Sequence, residues 1–491
     1  MSKYWILTAI LLPILGGALT PLLPFKKREQ MMIYVEAVML ATSAIVIALI
    51  AHGKMSIFEV IYFVRGLSIS FKIDGMTMVF AGLVSILWPL ATLYAFEYME
   101  HEGHEKIFFM FYSMTYGVTL GIAFASDMLS MYFFYELLTL VTVPLVMHTL
   151  TREAILASRK YLYYSLGGAA FALIGLVFLL SYGDTLEFTM GGVLDMAQVG
   201  DKKNLLLTIY LLAFMGFGVK AAIWPLSSWL PQAGVAPTPV TALLHAVAVV
   251  KAGVFAIIRL TYYSFGCDFL RGTWVQAVVM GLAMFSIVYG CSRAVKETHI
   301  KRRLAYSTVS NLSYIIFGAT IMTPLGLVGA LCHLICHAFM KICSFLCAGA
   351  IMHQTGKSYI YELNGMGRKM PVVFTCFTIS AFGLMGVPGL AGFISKWNLA
   401  QAAVESGNVQ AYFGIGCLLI SALLTAIYML SIVVRAFFPG RDFDYGTLQG
   451  IKDPTWKMCL PLMLFAAAIV CLGLFSSPLV GFLQDIAAGK Y

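Results

Sequence analysis

Four lysines lie where lysine is costly, in the interior of long apolar segments. They are Lys220, Lys251, Lys341 and Lys396, and one glutamate, Glu136, lies in a similar position. A lysine at the centre of a lipid bilayer costs about 2.5–3.5 kcal/mol. These side chains must therefore face a helix-bundle interior, water or one another, and residues in such positions typically mark ion paths.

Three histidines share segments with these lysines: His245, His333 and His337. His333, His337 and Lys341 are spaced four residues apart, so they form one stripe on a helix. Histidine titrates near neutral pH, and a desolvated lysine also loses and regains a proton near neutral pH. The pattern predicts a buried proton relay.

The single acid has a defined place in this relay. Glu136 near Lys220 would hold that lysine charged, and removal of the influence of the acid would release the proton. The alternative is that the buried charges only hold helices together, which explains one acid–lysine pair but not four lysines with one acid. Because Glu136 is the one firm intramembrane acid in this interpretation, protons are favoured over sodium as the ion.

Metal and redox sites are weaker interpretations of the same segments. A metal bound by the histidine stripe would need Lys341 as its third ligand, and we predict no metal site. Cysteines on the same segment lack the tight C-x-x-C spacing of metal sites, so we interpret them as packing residues: Cys332, Cys336, Cys343 and Cys347. No cofactor-binding site is predicted in the chain.

Composition identifies the solvent of the fold. Of 491 residues, 60% are hydrophobic and 11% are charged, against about 25% charged residues in soluble domains. Apolar runs of about 20 residues match helices that cross a bilayer, and helices satisfy their own backbone hydrogen bonds there. We predict an all-α polytopic membrane protein of about fourteen transmembrane helices. The first, residues 4–23, lacks a signal-peptide cleavage pattern.

Basic residues predict the orientation of the chain. Odd-numbered connections between the predicted helices hold most loop cations, such as Lys26-Lys27-Arg28 and Lys301-Arg302-Arg303, whereas even-numbered connections hold few. The positive-inside rule places the odd connections in the cytoplasm. We therefore expect the inner (plasma) membrane, with both termini on its outer side. This asymmetry explains the net charge of +9 without a nucleic-acid partner. Arg259, near a helix end, is expected to snorkel.

Two predicted helices are discontinuous. The seventh, residues 205–230, carries Gly216, Gly218 and Pro225 around Lys220, and the twelfth, residues 371–400, carries a glycine- and proline-rich stretch before Lys396. Proline removes a backbone donor and glycine loosens a helix. Interrupted helices in corresponding positions indicate repeats. Because these two helices are five apart, the repeats would be inverted.

Several specific motifs surround these residues. They are Phe134-Tyr135-Glu136, Lys220-Ala221-Ala222-Ile223-Trp224-Pro225, Ala236-Pro237-Thr238-Pro239-Val240 through His245 to Lys251-Ala252-Gly253-Val254, Lys301-Arg302-Arg303-Leu304-Ala305-Tyr306-Ser307, the helix with His333, His337 and Lys341, and Gly392-Phe393-Ile394-Ser395-Lys396-Trp397. The motifs resemble the antiporter-like membrane subunits shared by respiratory complex I, Mrp-type sodium/proton antiporters and membrane-bound energy-converting hydrogenases.

The resemblance implies an organisation of the chain. Residues 1–106 would form helices one to three, 107–265 the first inverted five-helix repeat, 266–440 the second, and 441–491 helix fourteen. It also implies that Glu136 and Lys220 pair, that Lys251, Lys341 and the histidines relay protons, and that Lys396 faces the far exit. Asn311 stands where relatives often have histidine, so a relay role there is doubtful.

The implied function is proton translocation by one member of a multisubunit complex. The stretch around Lys396 favours the D-type protein of Mrp antiporters or its hydrogenase counterpart, and the alternative is an ion-pumping component of a complex I-type oxidoreductase. Expected partners are other membrane subunits, including paralogous ones, and peripheral redox subunits, with H⁺ and in some cases Na⁺ as the ion. A free-standing transporter, an inert scaffold and an oxidoreductase with its own redox centre are less favoured.

Overall fold

The computed structural model describes residues 3–53, 55–64, 67–440 and 442–491. Most of this part of the chain is helical. Its helices are α1 (Tyr4–Leu19), α2 (Arg28–His52), α3 (Gly75–Tyr98), α4 (Glu105–Phe124), α5 (Met128–Val146), α6 (Arg152–Tyr182), α7 (Met196–Val199), α8 (Lys203–Lys220), α9 (Trp229–Ala233), α10 (Thr238–Ala246), α11 (Val249–Ile258), α12 (Cys267–Leu270), α13 (Trp274–Lys296), α14 (Ile300–Thr320), α15 (Pro324–Thr355), α16 (Pro371–Met385), α17 (Ala391–Glu405), α18 (Val409–Phe437), α19 (Trp456–Leu474) and α20 (Ser477–Ala487).

The helices confirm a polytopic membrane fold. In the described ranges, eleven helices or helix pairs are long and apolar enough to cross a membrane, and α1 and α16 are shorter apolar helices. Every predicted transmembrane segment overlaps at least one helix, but the number of spans stays a prediction. Lys54, Arg65 and Arg441, which contribute to the predicted orientation, lie outside the described residues.

Short polar side chains fix where the helices begin. The carboxylate of Asp74 accepts a hydrogen bond from Thr77 N at 2.9 Å, and the carboxylate of Asp127 accepts one from Ser130 N at 2.7 Å. Such caps satisfy backbone donors that the first helical turn leaves free. In lipid these donors have no water to bind, so the two carboxylates stabilise the first turns of α3 and α5.

A β-hairpin was not predicted. Strands β1 (Met55–Val64) and β2 (Leu67–Ile73) pair antiparallel, with Met55 opposite Ile73 and Tyr62 opposite Ser68. β2 carried a detectable signal, because apolar residues alternate with Ser68, Ser70 and Lys72 along it, and alternation is typical of a half-buried strand.

The two predicted helix breaks are present. The chain leaves helical geometry between α8 and α9, directly after Lys220, and again between α16 and α17, where Gly386 has φ +92°. The two halves of the second broken helix pack so closely that a Cβ on Gly392 would lie 1.8 Å from the Gly383 carbonyl oxygen. A third break, between α10 and α11 at Val247–Ala248, was not predicted.

The odd-numbered connections lie at one end of the bundle, here called the odd end. The even-numbered connections lie at the opposite end, here called the even end. At the odd end, Ile300 N donates to the Ser358 carbonyl at 2.9 Å, which joins the ninth and eleventh predicted connections. At the even end, Met128 N donates to the Leu186 carbonyl at 3.1 Å. This arrangement agrees with a chain that crosses back and forth, whereas the cytoplasmic placement of the odd end stays a prediction.

The expectation for Arg259 was wrong. Its side chain is fully buried and forms a two-pronged ion pair with Asp74, with both N–O distances 2.7 Å. The rings of Phe188, Phe255 and Tyr263 surround the guanidinium, with centroids 4.7–5.2 Å away. Burial alone would raise the pKa of Asp74, but Arg259 holds it below its usual value. Arg259 does not extend to the membrane surface because Asp74 provides a buried ion-pair partner.

Replacing Asp74 by asparagine is expected to destabilise the protein by about 3–5 kcal/mol, since a buried charge loses its partner. The measurement is thermal unfolding of the detergent-solubilised protein. Exposed Asp184, at the same end of the bundle, provides the matched control as Asp184→Asn. Equal unfolding temperatures for the two variants would show that the ion pair contributes nothing.

Candidate functional site

All eight residues predicted for the relay are at least partly buried. Glu136 and Lys396 are partly buried. The other six are fully buried: Lys220, Lys251, Lys341, His245, His333 and His337. Those six lie on α8, α10, α11 and α15, around the breaks in the helices. Lys220 directly precedes the first predicted break, and Lys396 donates hydrogen bonds to the carbonyls that end the helix before the second.

Lys220 is the last residue of α8 and lies against Tyr135. Its ammonium is 3.5 Å from the centroid of the Tyr135 ring and donates a hydrogen bond to the Tyr135 carbonyl. A cation at a helix C-terminus gains about 0.3–1 kcal/mol, and a desolvated cation–π contact adds about 2 kcal/mol. These contacts stabilise the lysine without a direct carboxylate partner.

Glu136 lies beside Lys220 but does not touch it. Both residues are in the described part of the chain, and no ion pair or hydrogen bond joins them there. The two groups are close enough to interact electrostatically. One carboxylate oxygen of Glu136 is buried and has no hydrogen-bond partner among the residues that the structure describes. The pairing of Glu136 with Lys220 that the resemblance implies stays a prediction.

Lys251 and His337 form the central contact of the site. A hydrogen bond of 2.8 Å joins Lys251 Nζ to His337 Nδ1. The backbone of α11 packs closely against the C-terminal end of α8, since a Cβ on Gly253 would lie 2.4 Å from Ala221 N. This packing brings Lys251 near the end of α8 that carries Lys220. Either group of the pair can hold the proton while the other accepts the hydrogen bond.

From His337 the buried groups continue along α15. The rings of His333 and His337 are stacked with centroids 5.8 Å apart. His333 Nδ1 is hydrogen-bonded to Ser395 Oγ at 2.9 Å, and its ring stacks on Tyr314 at 5.0 Å. Ser395 directly precedes Lys396, so the stripe leads from α11 to the second broken helix.

Lys396 closes the other end of this series. It donates hydrogen bonds to the carbonyls of Leu384 at 2.7 Å and Met385 at 3.0 Å, the last residues of α16. Its ammonium also lies 5.4 Å from the centroid of Tyr314. Lys396 thus caps the C-terminus of one half-helix, and Lys220 ends another. The two lysines are held differently, because the Lys220 ammonium donates to the Tyr135 carbonyl inside α5.

His245 and Lys341 form a side branch around Phe345. The His245 ring stacks on Phe345 at 4.6 Å, and the Lys341 ammonium lies 6.0 Å from the same ring. Lys341 donates to the Leu304 carbonyl at 3.1 Å. Both ring nitrogens of His245 are buried, and within the described residues neither has a hydrogen-bond partner. The imidazole is therefore free to accept a proton or a water molecule.

Two contributors to this region, Ser395 and Tyr314, were not predicted, because hydroxyls are common in membrane helices. Glu36, inside α2, was not predicted either, although an acid in an apolar run is detectable. Among the described residues its Oε2 is buried without a hydrogen-bond partner. Asn311, the doubtful relay residue, donates to the Ser307 carbonyl of its own helix at 2.8 Å.

The sequence matches a known protein family. The family model described as "NADH:quinone oxidoreductase/Mrp antiporter, TM" matches residues 125–425. A second family model, described as "NADH-Ubiquinone oxidoreductase (complex I), chain 5 N-terminus", matches residues 65–109. The first match covers more than half of the chain and includes all eight predicted relay residues. The chain belongs to this family. It is thus an antiporter-like, proton-conducting type of membrane subunit.

Curated relatives come from two kinds of complex. The N subunit of the NADH-quinone oxidoreductase of Desulforudis audaxviator is 27% identical over 89% of this chain and 90% of that protein. NAD(P)H-quinone oxidoreductase chain 4-2 of Synechocystis is 28% identical over 91% of this chain and 82% of that protein. The A subunit of the Na(+)/H(+) antiporter of Alkalihalophilus pseudofirmus is 29% identical over 82% of this chain, which spans 52% of that longer protein.

Solved structures share the fold over nearly the whole length. A chain of the membrane-bound sulfane sulfur reductase, an archaeal respiratory membrane complex, matches with a TM-score of 0.84 at 22% identity, covering 98% of this chain and 97% of that chain. A chain of the Mrp complex from Dietzia sp. DQ12-45-1b matches with a TM-score of 0.81 at 22% identity, covering 99% and 97%. The likeness confirms the polytopic helical fold.

Proposed function

We propose that this chain translocates protons as one member of a multisubunit membrane complex. The observation that carries the proposal is the 2.8 Å contact between Lys251 and His337, deep inside a bundle whose other buried cations lie on either side of it. Two groups that exchange a proton must be within hydrogen-bond reach. Lipid-embedded ionisable groups of this kind are the usual parts of proton relays.

The route runs between the two broken helices. A proton on Lys220 is controlled by the charge of Glu136 and passes to Lys251, then along His337 and His333 to Lys396. No hydrogen bond joins Lys220 to Lys251, so the proton transfer between them uses water or a side-chain movement. That interruption suits a gated pump, because a continuously connected wire would dissipate the gradient.

The parent complex is the finer part of the proposal. We assign the chain to the D-type proteins of Mrp cation/proton antiporters or to their counterpart in an energy-converting hydrogenase, supported by the Gly-Phe-Ile-Ser-Lys-Trp stretch that ends at Trp397. A complex I-type oxidoreductase is the second candidate, favoured by the relatives from NADH-quinone and NAD(P)H-quinone oxidoreductases.

The energy for pumping comes from partner subunits in this proposal. Moving one charge across 100 mV is worth about 2.3 kcal/mol, and we assign no cofactor to this chain. Paralogous membrane subunits and peripheral redox subunits are the proposed partners. Protons are the proposed ion, although the second intramembrane acid, Glu36, weakens the sequence argument against sodium.

Purification of the native complex in mild detergent tests both parts of the proposal. The complex is assayed for flavin, iron and nickel and is then reconstituted into liposomes with a pH-sensitive dye. Proton flux under the driving force of the complex supports translocation, and its absence in a fully assembled complex contradicts it. Stoichiometric redox cofactors favour an oxidoreductase, whereas their absence with cation-driven flux favours an Mrp antiporter.

A further inference from the structure

A cavity of about 550 Å³ opens at the odd end of the bundle. We call it the odd-end cavity, and its lining includes Thr151, Glu153, Val235, His299, Lys301 and Met352. Charged and hydroxyl groups among these residues make it suitable for water. Burial and the nearby cations lower the pKa of His299 to about 4, so this imidazole is neutral near pH 7 and adds no positive charge to the cavity.

Lys301 connects this cavity to the protein interior. Its side chain is almost fully buried, although the residue lines the cavity. Its ammonium donates to the Ala236 carbonyl at 2.7 Å, and Ala236 lies just before α10, the helix that carries His245. The Lys301 side chain therefore extends from the first turn of α14 to the start of α10, the helix on which His245 lies.

The interior side of Lys301 faces the relay. Lys301 is hydrogen-bonded to the residue two positions before α10, and His245 on α10 stacks on Phe345, the ring that also lies 6.0 Å from the Lys341 ammonium. The Leu304 carbonyl, one turn along α14 from Lys301, holds the Lys341 ammonium at 3.1 Å. His245 itself is completely buried with two unpartnered ring nitrogens in the described part of the chain. An unpartnered buried imidazole beside a cavity-lining lysine is a ready acceptor.

We propose that Lys301 is a relay residue that carries protons from the odd-end cavity to His245. The ammonium of Lys301 gives a proton through intervening water to a ring nitrogen of His245 and becomes a neutral amine. The amine then takes up a proton that enters the cavity from the solution at the odd end, so that no hydroxide is left behind. His245 and Lys341 pass the proton on to His337. This inference rests on the proposed function and adds the route by which protons reach the relay.

Two substitutions at Lys301 separate proton transfer from a purely structural role. Lys301→Gln is expected to lower the proton flux of the assembled, reconstituted complex at least about tenfold, because a positioned proton-transfer group contributes about 10²–10⁴-fold. Lys301→Arg keeps the charge and the donor to Ala236 but does not release its proton, so it is expected to fail as well. Exposed Lys296, on the neighbouring α13, provides the control Lys296→Gln.

A second measurement stands even if the Lys301 variants do not assemble. Val235→Cys places a thiol in the odd-end cavity, and Tyr361→Cys places one at the same end outside it. A bulky membrane-impermeant thiol reagent is expected to block flux at position 235 only, with the unsubstituted complex as the baseline for native cysteines. Full modification at position 235 with unchanged flux would overturn the proposal, as would full flux in Lys301→Arg.

If flux also survives in Lys220→Ala, the proposed function itself fails. If only the Lys301 variants keep flux, the inference alone fails.

Discussion

Replacing Lys251 by methionine is expected to lower proton flux about a hundredfold or more, because a positioned proton-transfer group contributes about 10²–10⁴-fold. Methionine has a similar length, so packing of α11 is retained. The substitution removes the hydrogen bond between Lys251 and His337, which is the central contact of the relay. The measurement is dye-detected flux in proteoliposomes, with the amount of assembled complex determined for each sample.

Arginine at the same position distinguishes charge from proton transfer. Lys251→Arg keeps a cation beside His337, but the guanidinium does not give up its proton, so flux is expected to stay low. Exposed Lys452 provides the control as Lys452→Met, with flux unchanged. Full flux in the arginine variant would mean that Lys251 supplies only a fixed charge.

Replacing Lys396 by methionine is the second change with a large expected effect. It removes the terminal group of the series and leaves the Leu384 and Met385 carbonyls without their donor, at a cost of about 1–3 kcal/mol for each buried group left unpaired. We expect flux near background and a lower unfolding temperature. Flux and thermal unfolding are measured on the same preparation.

Two further variants separate these effects. Lys396→Glu is expected to retain a measurable part of the flux, because a carboxyl group also takes up and releases a proton. Exposed Gln401, one turn along the same helix, gives the control Gln401→Met with normal flux. Equal flux from the methionine, glutamate and native forms would remove Lys396 from the relay.

The membrane class and the buried cations were predictable because lipid makes charge expensive. Each of Lys220, Lys251 and Lys341 stands out in an apolar run, and its cost in lipid forces it inward. The breaks beside Lys220 and Lys396 were predictable because proline removes a backbone donor and glycine loosens a helix. The helix stripe of α15 followed from its spacing alone.

Contacts between different helices were not predictable in the same way. The spacing along one helix cannot place Lys251 against His337, since that contact depends on how α11 and α15 pack. The Arg259–Asp74 pair joins residues 185 positions apart, and an arginine near a helix end gives no sign of a buried partner. Lys301 was interpreted as a topology signal because basic clusters at helix starts usually face the cytoplasm.

The β-hairpin was missed for another reason. β2 is short, and its alternating pattern lies between long apolar runs that are typical of membrane helices. Its neighbour β1 is mostly exposed and apolar, so its sequence does not alternate. The period-two pattern therefore indicates one strand of the two.

The initial rate of proton flux through a reconstituted complex carrying Lys220→Ala tests the central claim most directly. The matched control is Lys203→Ala, an exposed lysine at the start of the same helix. The account predicts that the Lys220 variant assembles with normal partners and loses its flux, while the Lys203 variant keeps both. An assembled Lys220→Ala complex that moves protons at the native rate would contradict the account, because the buried cations would then serve only to hold the helices together.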